Sequence, residues 1–154
     1  MKAEEKIKSM GLALPPATKP VANYVSAVRT GNLIFLSGHG PVRDDGTMIT
    51  GKVGADLSLE EGYQAARQVA LVLMSSLKAQ IGDLDSVRRI VKLLGMVNCL
   101  PDFGDQPKVI NGASDLLVEV FGDRGRHARS AVGMNALPSN IAVEIEMIVE
   151  VEEG

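Results

Sequence analysis

The last segment of the chain, residues 141–151, alternates between two kinds of side chain and constrains the fold more than any other feature. One set of alternate positions is apolar throughout: Ile141, Val143, Ile145, Met147, Val149 and Val151. Successive side chains of a strand point to opposite faces of a sheet, so this pattern predicts a strand with one buried face. The other set is Ala142, Glu144, Glu146, Ile148 and Glu150. The second face of the sheet is therefore either polar or covered by other subunits.

Two amphipathic helices are predicted to cover the apolar face. Ser58-Leu-Glu-Glu61 is a capping-box pattern, and the helix it opens ends at Gly82. Its inward stripe is Leu59, Tyr63, Ala66, Ala70, Leu73, Leu77 and Ile81. A second helix is predicted from about Pro107 to Phe121, with Gly122 as its stop. The inward residues of this second helix are Ile110, Ala113, Leu117 and Val120.

The rest of the chain is predicted to supply strands and one lead-in. Residues 1–19 are predicted to be an extended N-terminal lead-in, because prolines force an extended backbone there. Within it, residues 3–10 could form one or two helical turns. The predicted strands are Tyr24–Val28, Leu33–Ser37, a short one at Thr47–Thr50, Val87–Leu100, Ala128–Met134 and Ile141–Val151. Two helices cannot cover both faces of six strands. We therefore expect a single domain over residues 1–154, an α/β (α+β) two-layer sandwich with both helices on one face.

Composition argues against several classes of function. Lys and Arg number 16 against 19 Asp and Glu, so the net charge is −3, whereas nucleic acids and anionic membranes favour basic proteins. The chain has two Tyr, three Phe and no Trp, too few aromatics for a base-stacking surface. The longest apolar run, Val69–Met74, cannot span a bilayer. Nucleic-acid and membrane partners are therefore not expected.

The cysteine and the N-terminus indicate a cytoplasmic protein. Cys99 is the single cysteine, which excludes an intrachain disulfide and favours a small buried side chain. No pair among Cys99, His39 and His127 has a metal-ligand spacing, so a metal site is not expected. The first residues are charged and lack the apolar core of a signal peptide.

Arg129 is the most informative candidate for chemistry. It shares a face of its strand with Ala131 and Gly133, two positions with almost no side chain. If residues 135–140 closed a hairpin, Arg129 would lie opposite Glu146 and diagonal to Glu144. One interpretation is an exposed ion pair, worth less than about 1 kcal/mol. The other is an arginine that grips a ligand carboxylate with both arms of its guanidinium.

Several motifs resemble the reactive intermediate deaminase family (RidA, or YjgF). They are Tyr24-Val25, Gly31-Asn32, Ser37-Gly38-His-Gly-Pro41, Asp102-Phe103, Ala128-Arg-Ser-Ala-Val132, Leu137-Pro138 and Val143-Glu-Ile-Glu146. The likeness covers residues 20–151 in the same order. It implies a chorismate-mutase-like fold, a mixed sheet with two helices on one face, and a homotrimer with a pocket at each subunit interface. The segment Asn111-Gly112-Ala-Ser-Asp115 resembles a divergent branch of the family. His127 stands where active members usually have Pro, and Ala131 replaces a common Cys, and either departure could reshape the pocket.

The resemblance also implies an activity and assigns residues to it. Active members hydrolyse 2-imino acids to 2-oxo acids and ammonia, without cofactor or metal. Arg129 matches the arginine that binds the substrate carboxylate, and Glu144 matches the glutamate that positions or activates water. The remaining substrate-binding positions are Tyr24, Ser37, Gly38, Asn111 and Ala131. Two alternatives stay open: binding of a small carboxylate metabolite without turnover, and endoribonuclease activity with inhibition of translation, which the charge and the few aromatics disfavour.

Overall fold

One mixed sheet and three helices make up the part of the chain that the structure describes. The structure is a computed structural model and describes residues 2–17, 19 and 22–153. Its elements are α1 (Ala3–Ser9), β1 (Ala27–Thr30), β2 (Leu33–His39), α2 (Leu59–Ile81), β3 (Val87–Asn98), α3 (Gln106–Phe121), β4 (Ala128–Met134) and β5 (Val143–Val151). The predicted α+β class is confirmed. The strand and helix counts differ, because the described residues form five strands rather than six and three helices rather than two.

The local signals in the sequence define α2 closely. The Ser58 hydroxyl accepts a hydrogen bond from the Glu61 amide at 3.1 Å, and the Glu61 carboxylate accepts one from the Ser58 amide at 3.0 Å. This is the predicted capping box, and it satisfies amides that the first helical turn leaves without partners. The helix ends at Gly82, whose φ of +82° favours glycine. None of the described helices is both long and apolar enough to cross a membrane.

The strand order is β1-β2-β5-β3-β4, with β3 and β4 parallel and the other neighbours antiparallel. The predicted hairpin between residues 128–134 and 141–151 is therefore wrong. Because α3 connects β3 to β4, the chain returns to the same edge of the sheet and β4 pairs in parallel with β3. The more apolar β5 enters the middle of the sheet, where it pairs on both sides.

Two further predictions are corrected near the N-terminal half. Residues Thr47–Thr50 form no strand and make only isolated bridges, from Met48 to Val42 and from Thr50 to Ile141. The lead-in is helical at α1, as the first residues suggested, and residues 12–17 carry no regular secondary structure. Met1, Thr18, Pro20, Val21 and Gly154 lie outside the described residues.

The core lies between the sheet and the two long helices. The six apolar residues predicted to share a face between 141 and 151 are all buried, with Ile141 the most exposed at 5%. The close packing of α3 on β3 shows at Gly95, where an added Cβ would lie 2.7 Å from Ile110. We call this side of the sheet the covered face. The opposite side, the open face, exposes Val28, Phe35 and Val132 at 53%, 41% and 38% beside the glutamates of β5.

Candidate functional site

Arg129 lies on the covered face, at the edge of the sheet. It pairs with Leu93, a fully buried residue of β3, so its side chain starts from the helix-packed side of β4. One guanidinium nitrogen donates to the Ser114 hydroxyl at 3.0 Å and another to the Pro107 carbonyl at 3.3 Å. Among the residues that the structure describes, no carboxylate lies within ion-pair distance of Arg129. The predicted position opposite Glu146 is therefore wrong, and so is the ion-pair interpretation.

Ser114 and His127 continue the hydrogen bonds of Arg129. The Nδ1 atom of His127 lies 2.6 Å from the Gly125 carbonyl, which can only accept, so Nδ1 carries the proton. Its Nε2 atom then accepts from the Ser114 hydroxyl at 2.9 Å. Burial lowers the pKa of His127, the Gly125 hydrogen bond opposes this, and the Arg129 charge lowers it further. The lowered pKa favours the neutral form of His127, in which Nε2 is the acceptor.

Asn111 and Ala131 complete the group around Arg129. Asn111 is one helical turn beyond Pro107 and one before Ser114, so it lies on the face of α3 that Arg129 contacts. Ala131 follows Arg129 on the same side of β4, and both are half-buried. We call Arg129, Ser114, His127, Asn111 and Ala131 the arginine site.

The empty volume expected beyond Ala131 is only partly present. A Cβ added at Gly133 would lie 2.7 Å from the Gln106 amide and 2.8 Å from the Cys99 sulfur, so these side chains fill the space over Gly133. Cys99 is buried, as predicted. A cavity of about 250 Å³ opens farther along the strand, between Gln106, Gly133 and Asn135, and Arg129 does not line it.

Glu144 lies on the open face, against the backbone of Gly38. A side chain at Gly38 would overlap the Glu144 carboxylate, and β2 has an irregularity in its register between Leu36 and His39. Only glycine therefore lets the carboxylate lie there undisturbed. Burial, and then the neighbouring charge of Glu146, raises the pKa of Glu144 above its ordinary value. The pKa of this half-buried carboxyl therefore lies nearer to neutral pH than that of a free glutamate.

Ser37 precedes Gly38 in β2, and its hydrogen bonds reach the segment that follows Tyr24. The Ser37 amide donates to the Ser26 carbonyl at 2.9 Å, and its hydroxyl donates to the Val25 carbonyl at 2.7 Å. These bonds hold the segment that carries Tyr24 against the end of β2. Tyr24 precedes β1, which begins at Ala27, and is 50% exposed. We call Glu144, Gly38, Ser37 and Tyr24 the glutamate site.

The sheet separates the two sites within one copy of the chain. Arg129 starts from the covered face of β4, Glu144 from the open face of β5, and β3 lies between these strands. The structure thus gathers the predicted site residues into two groups rather than one. Sequence reasoning also missed the Ser114–His127 pair. The available signal was that Ser114 lies one helical turn after Asn111, on the same face of a predicted helix. Within the described residues no cluster of three or more His, Cys, Asp or Glu side chains could hold a metal ion.

Comparisons with known proteins agree with this sheet and its helices. The model of the family described as "YjgF/chorismate_mutase-like, putative endoribonuclease" matches residues 4–151. The chain is 48% identical to Protein TCP17 of Trypanosoma cruzi, over 94% of this chain and 91% of that protein. It is 31% identical to the 2-iminobutanoate/2-iminopropanoate deaminase of Dermatophagoides farinae, over 92% of this chain and 95% of that one.

A solved structure supports the same assignment. The crystal structure of Atu1372 from Agrobacterium tumefaciens matches with a TM-score of 0.92 at 43% identity, over 97% of this chain and 92% of that one. The fold and the family match therefore define an α+β domain of the YjgF/chorismate-mutase-like kind. The chain belongs to the YjgF family, which confirms the resemblance stated from the sequence.

Proposed function

We propose that this protein hydrolyses 2-imino acids to 2-oxo acids and ammonia, at a pocket formed between copies of the chain in a homotrimer. The observation that carries the proposal is the state of Arg129. Arg129 is half-buried as a residue, and its guanidinium donates to neutral oxygens alone, with no described carboxylate to balance its charge. A cation without a counter-charge favours an anionic ligand, and the planar guanidinium matches a carboxylate.

Glu144 supplies the group that the hydrolysis needs on the other side of the substrate. Its pKa is raised toward neutral pH. A general base is most effective when its pKa lies near the pH at which the enzyme works. The carboxylate takes a proton from water as the water oxygen attacks the imine carbon. Glu144 returns that proton to the nitrogen, which gives a tetrahedral carbinolamine. The hydroxyl proton of the carbinolamine then passes through the same carboxylate to the nitrogen, so that the C–N bond breaks, ammonia leaves and the carbon keeps the oxygen as a ketone. The proposed chemistry uses water and these side chains and names no cofactor.

The positions of the two sites support assembly from more than one copy. A small imino acid cannot contact Arg129 and Glu144 of one chain, because the sheet lies between them. A second copy that places its open face against the edge of β4 brings its own Glu144 to the first copy's Arg129. The exposed Val28, Phe35 and Val132 of the open face would be covered in the same step. A closed ring of three copies repeats this contact without leaving an unpaired surface.

The test of the activity measures the decay of an imine formed in situ by an amino-acid oxidase. We expect purified wild-type protein to accelerate the decay, and Arg129→Ala to lower the rate roughly 10- to 100-fold, the loss expected for a hydrogen bond to a charged group. Arg126→Ala is the matched control, since Arg126 is an exposed arginine that pairs with Asp123. An unchanged decay in the presence of the wild type would contradict the proposal.

Binding of a small carboxylate without turnover is the alternative that the same arginine site supports. It predicts thermal stabilisation of the wild type by 2-oxobutyrate, lost in Arg129→Ala, together with no acceleration of imine decay. Endoribonuclease activity, named in the family description, is disfavoured by the net charge of −3. We keep the cytoplasm as the proposed compartment, on the single cysteine of the chain.

A further inference from the structure

A continuous chain of hydrogen bonds links Arg129 to His127, and the proposed hydrolysis does not use it. Arg129 donates to the Ser114 hydroxyl at 3.0 Å, and Ser114 lies 2.9 Å from the Nε2 atom of His127. The Nδ1 atom of His127 lies 2.6 Å from the Gly125 carbonyl. These residues come from three places, α3, β4 and the turn before β4.

The direction of each proton in this chain follows from the groups at its two ends. A guanidinium only donates and a carbonyl only accepts, so Ser114 accepts from Arg129 and His127 donates to Gly125. The single proton of the Ser114 hydroxyl is then directed at Nε2 of His127. In this state Ser114 has no proton to offer to a ligand that binds Arg129.

Protonation of His127 reverses the direction of the hydrogen bond between Ser114 and His127. An imidazolium carries a proton on both nitrogens, so Nε2 becomes a donor and the Ser114 oxygen becomes its acceptor. The Ser114 hydroxyl no longer donates to His127, so it can rotate and donate to an anion beside Arg129. We propose that Ser114 and His127 complete the carboxylate site as a proton-coupled pair: a carboxylate that binds Arg129 draws one proton onto His127 and receives a hydrogen bond from Ser114. This inference rests on the proposed role of Arg129 in binding a carboxylate.

The charges around His127 fix the sign of the coupling. Burial and the Arg129 charge lower the pKa of His127 in the free protein. A bound carboxylate neutralises that Arg129 charge and thereby raises the pKa of His127. By linkage, binding takes up a proton and becomes tighter as the pH falls toward and below the ordinary histidine range.

The other charged groups near His127 have different partners. Asp123 pairs with Arg126 at 3.4 Å, and Asp115 of α3 accepts a hydrogen bond from Tyr63 at 2.7 Å. Arg124 donates to the Val87 carbonyl at 2.7 Å, and Lys92 of β3 starts from the open face. Arg129 is therefore the charged group whose neutralisation changes the environment of His127.

The first experiment uses 2-oxobutyrate as the probe and calorimetric titration from pH 8.5 to pH 5.5, in two buffers of different ionisation enthalpy. We expect the Kd of the wild type to fall over this range by up to about tenfold, the limit that one unit of pKa shift on binding sets, with up to one proton taken up per site. His127→Gln removes the proton uptake, Ser114→Ala weakens binding mainly at low pH, and Ser114→Thr restores it. Arg126→Gln keeps the wild-type profile.

The outcomes separate this inference from the proposed function. Absence of binding to the wild type at every pH overturns both. Binding that requires Arg129 but takes up no proton leaves the proposed function intact and overturns the inference. Proton uptake that persists in His127→Gln also overturns it, because another group then titrates.

A second measurement needs no ligand. The chain has two histidines, so ¹⁵N NMR of the imidazoles is readily assigned with the His127→Gln variant. We expect the Nδ1–H tautomer of His127 at pH 8, and a higher pKa of His127 in Arg129→Gln than in the wild type. An Nε2–H tautomer, or a pKa of His127 that does not respond to Arg129→Gln, overturns the inference.

Discussion

The covered face of the sheet is packed against helices, whereas the open face leaves apolar and acidic side chains partly exposed. On the covered face, α2 and α3 bury the apolar residues of β5 and β3, and His39, which is 5% exposed, has a hydrogen bond on each ring nitrogen. On the open face, β5 carries three half-buried glutamates together with Ile148, which pairs with exposed Phe35. One copy of the chain completes its core but not this second surface. The proposed interface, where the edge of one copy meets the open face of another, would complete this surface.

Ile145 and Ile148 give the sharpest comparison between the faces, because both lie on β5. Ile145 is fully buried on the covered face, and Ile148 is half-buried on the open face. We expect Ile145→Ala to lower the free energy of unfolding by about 2–5 kcal/mol, since it leaves a cavity in the core. Ile148→Ala should lower it by about 1 kcal/mol or less in dilute protein.

Chemical denaturation measures both isoleucine variants, and sedimentation reports their assembly. Ile148→Ala should weaken the association of copies while Ile145→Ala acts on folding itself. Equal losses of unfolding free energy in dilute protein would break the comparison.

Two glycines provide the next largest contrast. A Cβ at Gly112 would overlap the backbone of Tyr63, where α2 and α3 meet, whereas a Cβ at Gly38 would overlap a movable carboxylate, that of Glu144. We expect Gly112→Ala to lower the free energy of unfolding by about 1–3 kcal/mol. Gly38→Ala should cost less stability and reduce imine hydrolysis more, as thermal melts and the imine assay would show. The reverse pattern would mean that Gly38 has only a packing role.

The pH dependence of stability should report on the histidines of the covered face, His39 and His127. Burial lowers the pKa of both His39 and His127, so the unfolded chain binds their protons more readily than the folded one. Their contribution is fully present above the ordinary pKa of 6.5 and is lost as the pH falls below it. Denaturation midpoints should therefore fall from pH 7 to pH 5, and less steeply in His127→Gln. A midpoint independent of pH in this range contradicts the burial of these rings.

On the open face, Glu144 should give a pH dependence of stability opposite in sign to that of the histidines. This is the smallest of the expected effects. The pKa of Glu144 is raised, so the folded chain holds this proton more tightly and loses stability as the pH rises above the ordinary glutamate range. Glu144→Gln should slightly stabilise the dissociated chain at pH 7 while abolishing imine hydrolysis. Reduced stability of the dissociated variant would show that the carboxylate makes a favourable contact within one copy.

The sequence predicts the elements whose signals are local. The capping box at Ser58, the glycine at the end of α2 and the alternation along β5 are read from neighbouring residues and are confirmed. The partner of β4 could not be read in this way, because α3 determines whether β4 returns in parallel to β3 or forms a hairpin with β5. The pair of Ser114 and His127 depends on this crossover as well. It also depends on the Gly125 carbonyl, which selects the tautomer.

Mixing two impaired variants tests most directly whether the site combines the arginine site of one copy with the glutamate site of another. Alone, Arg129→Ala is expected to keep about a tenth of the wild-type rate or less, and Glu144→Gln is expected to be inactive. After dissociation and reassembly in equal amounts, about a quarter of the interfaces in a cyclic assembly would combine an intact Arg129 with an intact Glu144. We expect the mixture to recover about a quarter of the wild-type rate of imine decay. No recovery, with mixed assembly verified by mass spectrometry, would contradict a site shared between copies.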